Sequence, residues 1–250
     1  MSVSLENQCL SVYIKIMTFS KYTTGNRFCQ RKNMLFDFAG FAEKAQVAEP
    51  EMFVKKCEKL RCFLEEVNKE VNLTRITGKV DFELKHAADS LLLPIVFPEL
   101  AGKNLKIADI GCGAGFPSLI LALAFPHWQI TAIDSIGKKV NFVRQAAEKL
   151  KLTNLNAIQG RAVELNRKAE FQKQFDIVTA RAVAPSPKLY RETDKFPVKN
   201  GAWIFYKTPG QAAEELPELQ KMNNIHWEVS SEVSLPDDAG TRLFVKGIRK

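Results

Sequence analysis

The sequence predicts an α/β protein with a mostly parallel, doubly wound sheet that follows a helical N-terminal region and ends in an antiparallel hairpin. Short apolar segments typical of strands alternate with helix-like segments from Leu105 to residue 221. Such alternation predicts βαβ units and therefore a parallel sheet. Two further strand-like runs, residues 227–235 and 242–248, flank the turn PDDAG near the end of the chain. These two runs predict the closing hairpin.

Two helices are predicted before the sheet. Residues 51–70 place apolar side chains at helical spacing and fill the opposite face with lysine and glutamate, as in an amphipathic helix. The turn residues NLTRITG at 72–78 end this helix. Asp81 is then expected to cap a second helix, which ends before Pro94. Residues 98–104 form the expected linker to the first strand.

The predicted elements of the sheet follow in order. The strands are expected at residues 105–110, 129–134, 155–159, 175–181 and 202–207. The helices are expected at residues 118–125, 138–150, 187–195 and 211–221. The chain is therefore expected to divide into an N-terminal extension (1–33), a helical N-terminal region (34–100) and the α/β domain (101–250).

The N-terminal extension differs from the rest of the chain in charge. Residues 1–33 hold five lysine or arginine residues and one glutamate, which is half of the formal net charge of +8. A segment this poor in acidic residues, with several Ser and Thr, is typical of an organellar transit peptide. The favoured alternative is a start codon assigned too early, with Met34 as the working first residue. The extension is expected to lie outside the folded core, and its removal to leave folding and activity intact.

Composition argues against a membrane protein and against a metal site. The longest apolar runs fall well short of the roughly 20 residues that span a membrane. The cysteines form no C-x-x-C pair and no histidine lies at ligand spacing from them, so we expect free thiols in a cytoplasmic protein and no metal. The net charge of +8 points to a polyanionic partner. The five cysteines are Cys9, Cys29, Cys57, Cys62 and Cys112.

A glycine-rich turn joins the first predicted strand to the next helix. It contains Gly111, Gly113 and Gly115, and Asp109 precedes it. In doubly wound sheets, ligands bind at the carboxyl ends of the strands, where glycine lets the backbone come close to them. A dinucleotide-binding loop needs its third glycine at position 116, where this chain has Phe116. The loop therefore favours a phosphate-free nucleoside ligand such as S-adenosylmethionine over NAD.

A carboxylate follows this loop at the end of the second predicted strand. Asp134 stands nineteen residues beyond Gly115. In that position it is expected to accept hydrogen bonds from both ribose hydroxyls of an adenosine. The alternative is that Asp134 only caps the helix that follows.

Five segments together resemble a known family. ADIGCGAGFP and DSIGKKVNFV, with NLTRIT and KHAADSLL upstream and FDIVTARAV downstream, are similar in order and spacing to the bacterial 16S ribosomal RNA guanine-N7 methyltransferases, also called the glucose-inhibited division protein B family. The resemblance extends from about Val67 to the C-terminus. It implies a Rossmann-like class I S-adenosylmethionine-dependent methyltransferase fold. It also implies methylation of N7 of one guanine in 16S ribosomal RNA or the small ribosomal subunit, by a protein that we expect to be monomeric.

Two other functions stay open on the sequence alone. One is a methyltransferase for a small metabolite, which needs no basic surface. The other is an RNA-binding protein that keeps the adenosyl pocket as a structural relic.

The resemblance implies which residues hold the cofactor. They are Gly111 and Phe116 in the loop, the acidic ribose ligand Asp134, the pair Ala162 and Val163 near the adenine, and Arg181 at the end of the fourth strand. Gly113 and Gly115 are assigned to the cofactor as the other glycines of the turn. The chain departs from the family pattern at two places. Lys139 follows Lys138 where arginine is common, and Thr208 follows Lys207 where glycine is usual.

The chemistry predicted for the active site needs no general base, because guanine N7 offers a lone pair and carries no proton. The fourth strand accordingly ends in TARAVAP rather than in an Asn-Pro-Pro-Tyr type of sequence, which suits an exocyclic amine. Arg161 and Arg181 follow predicted strands on the edge where ligands bind, so we assign them to holding substrate or cofactor during in-line transfer. The alternatives are a surface arginine for Arg161 and a buried ion pair for Arg181.

Further residues are assigned to the RNA side. Lys138 and Lys139 lie with Arg144 and Lys149 on the outer side of one predicted helix, where they either contact RNA or form a solvated face. His86 shares a helix face with Asp89 and Ser90, which the resemblance places near the active crevice. Taken alone, His86 is more typical of a packed residue, and we do not assign it as a base. Cys112 is expected to be a small structural filler of the glycine loop.

Overall fold

The computed structural model describes residues 36–250. The predicted extension 1–33, with Cys9 and Cys29, therefore lies outside the described residues. Two helices come first in the described part of the chain. Helix α1 (Phe38–Lys44) begins after Asp37, whose carboxylate accepts a hydrogen bond from the Gly40 amide. Helix α2 (Pro50–Val71) is amphipathic as predicted, and its buried face includes Phe53 and Leu60.

The third helical stretch, α3, differs from its prediction. It runs without a break through Lys79–Asp81, a π-helical segment Phe82–Ala88 and Asp89–Val96. The expected cap at Asp81 is wrong, because this residue lies inside the helix and its carboxylate is 2.8 Å from Lys85 Nζ. The expected end before Pro94 is also wrong.

Tertiary contact explains why Pro94 is tolerated within α3. Proline has no N–H to donate to the carbonyl oxygen four residues earlier, which belongs to Ser90. The Tyr206 hydroxyl donates to that oxygen instead, at 2.7 Å. A side chain from the sheet thus supplies the hydrogen bond that the helix lacks.

The sheet has the predicted mixed topology. Its strand order is β3-β2-β1-β4-β5-β8-β6, with β7 paired to β8. Strands β1 to β5 are parallel, and β8 runs antiparallel to β5, β6 and β7. The single strand expected at 227–235 is divided into β6 and β7. The strands are β1 (Lys106–Ile110), β2 (Gln129–Asp134), β3 (Leu155–Gln159), β4 (Phe175–Arg181), β5 (Pro197–Lys207), β6 (Ile225–Val229), β7 (Val233–Ser234) and β8 (Thr241–Arg249).

Helices connect the parallel strands as expected, with one short helix added. Thr208 caps the last of them: its hydroxyl accepts from the Gln211 amide at 3.3 Å while the Gln211 side chain accepts from the Thr208 amide at 3.1 Å. The added helix is α6. The helices are α4 (Ser118–Ala124), α5 (Gly137–Lys149), α6 (Ala162–Leu165), α7 (Ser186–Thr193) and α8 (Pro209–Leu219).

Apolar side chains cover both faces of the sheet. On one face, Ile107 belongs to a core that includes buried residues of α1, α2, α3, α4 and α5. On the other face, its neighbour Ala108 belongs to a second core with α6 and α7. This alternation is the period of two expected along a strand. Residues 36–250 form one compact unit, and the division near residue 100 stays a prediction. Within this unit, no helix combines the length and apolarity needed to cross a bilayer.

A buried amide joins three segments at the end of α4. The Asn154 side-chain nitrogen donates to the carbonyl oxygens of Ala122, Phe125 and Trp128 at 3.1, 3.2 and 3.0 Å. These carbonyls lie where α4 ends and the chain turns into β2, and the Phe125 oxygen also accepts from the Trp128 amide at 3.0 Å. Asn154 therefore fixes the approach of β2 to the sheet.

We predict that Asn154→Ala lowers the free energy of unfolding by roughly 1–3 kcal/mol, because it removes a buried donor that three carbonyl oxygens share. Urea unfolding monitored by tryptophan fluorescence measures the change. Asn141→Ala, at an exposed position of α5, is the matched control and should shift the midpoint little. Equal effects of the two substitutions would show that the buried amide has no special role.

Candidate active site

The glycine turn between β1 and α4 adopts left-handed backbone conformations. The φ angles of Gly111, Gly113 and Gly115 are 66°, 58° and 86°. A Cβ atom at Gly111 would lie 2.6 Å from Val183 Cγ2, so this glycine is needed for the close approach of the loop after β4. A Cβ atom at Gly113 would meet only the Gly111 carbonyl oxygen, at 3.9 Å. The space beside Gly113 is therefore open to a ligand.

Asp134 ends β2 beside this turn and is 7% exposed. Its Oδ2 accepts a hydrogen bond from the Gly113 amide at 2.9 Å, and its Oδ1 accepts from the Ile136 amide at 2.8 Å. The carboxylate thus fixes both the glycine turn and the start of α5. Each carboxylate oxygen has a second lone pair, which leaves both able to accept from a ligand.

Two adjoining cavities lie at the carboxyl ends of β1, β2 and β4. The β2 cavity, of about 540 Å³, is lined by Asp134, Arg161 and the Ala162–Val163 pair. The α3 cavity, of about 430 Å³, is lined by residues of α3 and of the glycine turn. Gly111, Lys139 and Ala182 line both cavities. This edge, between β1 and β4, is where the strand order reverses and where such sheets bind their ligands.

A buried carboxylate between two arginines shapes the α3 cavity. Asp89, with a side chain 3% exposed, has Oδ2 at 2.7 Å from Arg181 Nη1 and Oδ1 at 3.0 Å from Arg242 Nε. Arg181 Nη1 also donates to the Lys85 carbonyl oxygen at 2.9 Å. The ion pair that the sequence analysis gave as the alternative for Arg181 is therefore present, and the same arginine lines the cavity.

His86 is held as a neutral ring in the wall of the α3 cavity. Its ring stacks on Phe116 with centroids 4.0 Å apart. Nε2 lies 3.3 Å from Thr74 Oγ1, and Nδ1 lies 3.4 Å from Arg181 Nη2. Burial, and then the positive charge of Arg181, lower the pKa of His86 to about 3. At neutral pH the imidazole is uncharged and a very weak base.

Asp109 lies beneath the glycine turn and is 1% exposed. Its Oδ2 accepts a hydrogen bond from the Ser118 hydroxyl, and its Oδ1 has no hydrogen-bond partner among residues 36–250. Burial raises the pKa of Asp109 to about 7, against the opposing effects of Ser118 and Arg181. A carboxyl that titrates near neutrality thus supports the floor of the site.

The structure brings most of the residues predicted for the site to the two cavities, but Gly115 and Lys138 line neither. A Cβ atom at Gly115 would collide with Leu119, so this glycine serves the packing of α4. Lys138 Nζ donates to the Val71 carbonyl oxygen at 3.0 Å and so ties α5 to the end of α2. Of the two lysines, only Lys139 lines the part that the two cavities share.

The other two cations expected on the outer side of α5 have separate contacts. Arg144 Nε donates to the Ala157 carbonyl oxygen at 2.9 Å, and Lys149 Nζ lies 4.7 Å from the centroid of the Phe63 ring. Cys112 is buried, and burial raises the pKa of its thiol, in agreement with a structural role. Among residues 36–250, no group of three or more His, Cys, Asp or Glu side chains is placed to bind a metal ion.

Sequence reasoning missed four residues of the site. The exposed side chain of Val183 lies close to Gly111, and the Ile136 amide donates to Asp134. The positions of both residues just after a predicted strand were the available signal. Asp89 was noted only as a neighbour of His86. Arg242 carried no signal, because its partner lies in α3, far away along the sequence.

Solved structures with a similar fold are methyltransferases. An O-methyltransferase from Bacillus cereus, in complex with SAH, has a TM-score of 0.54 with 14% sequence identity over 78% of this chain and 91% of that chain. A methyltransferase from Geobacter sulfurreducens has a TM-score of 0.52 with 16% identity over 77% and 90%. The strand order, the glycine turn and these similarities define the class I S-adenosylmethionine-dependent methyltransferase fold, which confirms the predicted fold class.

Within that class, the chain belongs to the GidB family, rRNA small subunit methyltransferase G, whose pattern matches residues 54–241. It is 36% identical over 182 residues to a ribosomal RNA small subunit methyltransferase G of Lactobacillus delbrueckii, covering 72% of this chain and 76% of that protein. The Lactococcus lactis protein of the same name is 40% identical over 168 residues, covering 67% and 70%. The predicted family, enzyme class and cofactor are confirmed.

We predict that Asp134→Asn weakens S-adenosylhomocysteine binding by about 10- to 100-fold, because an amide replaces one acceptor oxygen of the charged group with a donor. Isothermal titration calorimetry measures this affinity. Asp176→Asn is the matched control, since Asp176 also accepts from a backbone amide, that of Lys106 at 2.7 Å, but at the opposite edge of the sheet. Unchanged affinity in Asp134→Asn would refute the assignment of the ribose ligand.

We predict that Asp109 makes stability depend on pH. Because its folded pKa is about 7 and its ordinary value 3.8, the native state holds a proton that the unfolded state releases between these values. The free energy of unfolding of the wild type should therefore fall, relative to Asp109→Asn, as pH rises from about 4 to 7, and the difference should level off above that. Urea unfolding of both proteins at several pH values measures it, and parallel curves would contradict the prediction.

Proposed function

We propose that this enzyme transfers a methyl group from S-adenosylmethionine to N7 of one guanine in 16S ribosomal RNA, in line and without a general base. One observation carries the proposal. A cavity with a positioned carboxylate, Asp134, and a cavity lined by cations meet at Gly111. Cofactor and base are proposed to enter from opposite sides of this junction.

The residues of the β2 cavity fit an adenosine. Both oxygens of Asp134 have lone pairs left for ribose hydroxyls after binding Gly113 and Ile136. Val163 and Val183 are exposed apolar side chains in the wall, suited to cover an adenine ring. When bound, S-adenosylmethionine supplies an electrophilic methyl group on its sulfonium. Gly113, with open space beside it, leaves room toward the α3 cavity.

The α3 cavity fits an electron-rich base attached to an anionic backbone. Five cations line it: Lys85, Lys139, Arg181, Lys207 and Arg242. Four of them form ion pairs, with Asp81, Asp89 and Glu215, and Lys139 forms none among the described residues. Guanine presents two acceptors, N7 and O6, on one edge. We assign Arg181 and Lys139 to the O6 edge or a nearby phosphate, which leaves N7 free. Arg161, exposed at the β2 cavity, is assigned to an RNA phosphate.

The side chains around the junction support transfer without proton abstraction. His86 has a pKa of about 3 and is a weak base. Burial raises the pKa values of the Cys112 thiol and the Tyr206 hydroxyl, so neither is ionised at neutral pH. Catalysis then rests on holding N7 in line with the methyl carbon, which supplies roughly 7–11 kcal/mol at the ideal limit.

The cationic wall favours RNA over a small metabolite as substrate. Lys139 and Arg161 line the cavities and form no ion pair among the described residues, and ribosomal RNA brings several phosphates close to the modified base for such cations to bind. We further propose that the enzyme acts as a cytoplasmic monomer on 16S ribosomal RNA or on the small subunit as it assembles. The protein is expected to meet both substrates there.

Methyl transfer to ribosomal RNA that lacks the modification tests the proposal. The protein is incubated with tritiated S-adenosylmethionine and either naked 16S ribosomal RNA or small subunits, and the label is mapped. Label on N7 of one guanine supports the proposal. RNA binding without label and without measurable cofactor binding would favour an RNA-binding relic, and label on a small molecule with no dependence on salt would favour a metabolite enzyme.

We predict that Arg181→Lys lowers kcat by about 100-fold without changing the shape of the pH–rate profile. Lysine keeps the charge but loses the planar fork, whose Nη1 contacts Asp89 and the Lys85 carbonyl oxygen and whose Nη2 lies near His86, so the base is held less accurately. Arg191→Lys is the matched control, because Arg191 also binds a carboxylate, that of Glu218 at 2.9 Å, on an exposed surface. Wild-type kcat in Arg181→Lys, or a new ionisation in its profile, would contradict the role.

A further inference from the structure

A third cavity lies at the opposite edge of the sheet from the two cavities described above. It has a volume of about 440 Å³. Strands β4 and β5 begin at this edge, and β8, which is antiparallel to β5, ends there. We call it the amino-edge cavity. With five to seven residues per strand and about 3.3 Å per residue, it lies roughly 20 Å from the carboxyl edge.

Three cations from separate segments of the chain meet at the amino-edge cavity. Lys173 precedes β4, Lys195 precedes β5, and Arg249 ends β8. All three side chains are exposed. Within residues 36–250, none of the three forms an ion pair with a carboxylate. They are therefore free to bind an anion from outside.

The protein holds these cations close together. The Lys173 amide donates to the Lys195 carbonyl oxygen at 2.8 Å, which keeps the two lysine segments side by side. The Arg249 guanidinium donates to the Asp194 carbonyl oxygen and lies 5.6 Å from the centroid of the Trp203 ring. The fold thus brings the three residues to one cavity and holds the guanidinium of Arg249 in place.

The charge balance of the cavity is unfavourable without a ligand. Asp194 is the one carboxylate among the described residues that line it, and its Oδ1 already accepts a hydrogen bond from Asn166 at 2.7 Å. Three positive charges around one negative charge repel each other. An anion with several oxygens, such as a phosphodiester, relieves this repulsion and releases counterions of its own.

We propose that the amino-edge cavity binds a backbone phosphate of the RNA substrate at a site remote from the methylated guanine. The inference rests on the proposed function for the identity of the polyanion. A single nucleotide cannot reach both edges of the sheet, because they are roughly 20 Å apart. The RNA therefore contacts the amino-edge cavity with nucleotides other than the methylated one.

The test compares three triple variants in RNA binding and methyl transfer. Lys173→Gln/Lys195→Gln/Arg249→Gln removes the charges, and Lys173→Arg/Lys195→Arg/Arg249→Lys keeps them. Lys55→Gln/Lys59→Gln/Lys69→Gln removes three exposed charges from α2 and is the matched control. Fluorescence anisotropy gives the affinity for 16S ribosomal RNA and for small subunits at 50 to 250 mM salt. Thermal unfolding checks each variant; if the first does not fold, Lys173→Gln and Lys195→Gln are measured singly.

For the charge-removing variant we expect the slope of log affinity against log salt to be shallower by roughly 2 to 3, or by about one for each single variant. The charge-keeping variant and the α2 control should retain the wild-type slope. The kcat at saturating RNA and the affinity for S-adenosylhomocysteine should not change, because the cavity is remote from the reacting atoms.

Three outcomes would overturn the inference. The first is a wild-type slope in the charge-removing variant, or the same change in the α2 control. The second is a loss of affinity for small subunits but not for naked RNA, which assigns the cavity to a ribosomal protein. The third is a charge-removing variant that no longer binds inorganic phosphate in an NMR titration but keeps the wild-type salt slope for RNA. This result would assign the cavity to a small anion.

These measurements separate this inference from the proposed function. If wild-type protein binds RNA with a steep salt slope but transfers no methyl group, the proposed function fails while the cavity is still tested by binding. If it transfers the methyl group and the variant slope is unchanged, only the inference fails.

Discussion

The site depends on one buried carboxylate, that of Asp89. It lies between Arg181 and Arg242 and so joins α3 to the end of β4 and to β8. A carboxylate this deeply buried is tolerated only with its partners in place, since an unpaired buried charge costs several kcal/mol. The cavity proposed for the base therefore has its wall fixed by electrostatics. A second buried pair, Lys207 with Glu215 at 2.7 Å, supports the loop after β4 in the same way.

Positioning, and not proton transfer, is the theme that connects these contacts. Asp134 holds the glycine turn through Gly113, and Val183 of the next loop lies against Gly111. The neutral ring of His86 contributes a flat surface against Phe116. When the nucleophile needs no deprotonation, a rigid site can accelerate the reaction by holding the nucleophile and the methyl group accurately in place.

Local patterns in the sequence predicted the parallel part of the fold well. The expected bounds of β2, β3 and β4 agree with the structure, because short apolar runs between turn residues leave little choice of conformation. The predicted end of α3 was wrong because a tertiary hydrogen bond replaces the one that Pro94 cannot make. The cofactor loop and Asp134 were visible as motifs. Arg242 was not, since an ion pair between distant segments leaves no trace in local spacing.

The hydrogen bond from the Tyr206 hydroxyl to the Ser90 carbonyl oxygen spans 116 positions of the chain. Contacts of such long range form late, after the intervening loop has closed. While the polypeptide is still emerging from the ribosome, the Ser90 carbonyl oxygen of α3 therefore lacks this hydrogen bond until β5 has been synthesised and has folded. The wall of the α3 cavity includes residues from the C-terminal half of the chain, such as Tyr206 and Arg242. A prematurely ended chain therefore lacks a complete site for RNA.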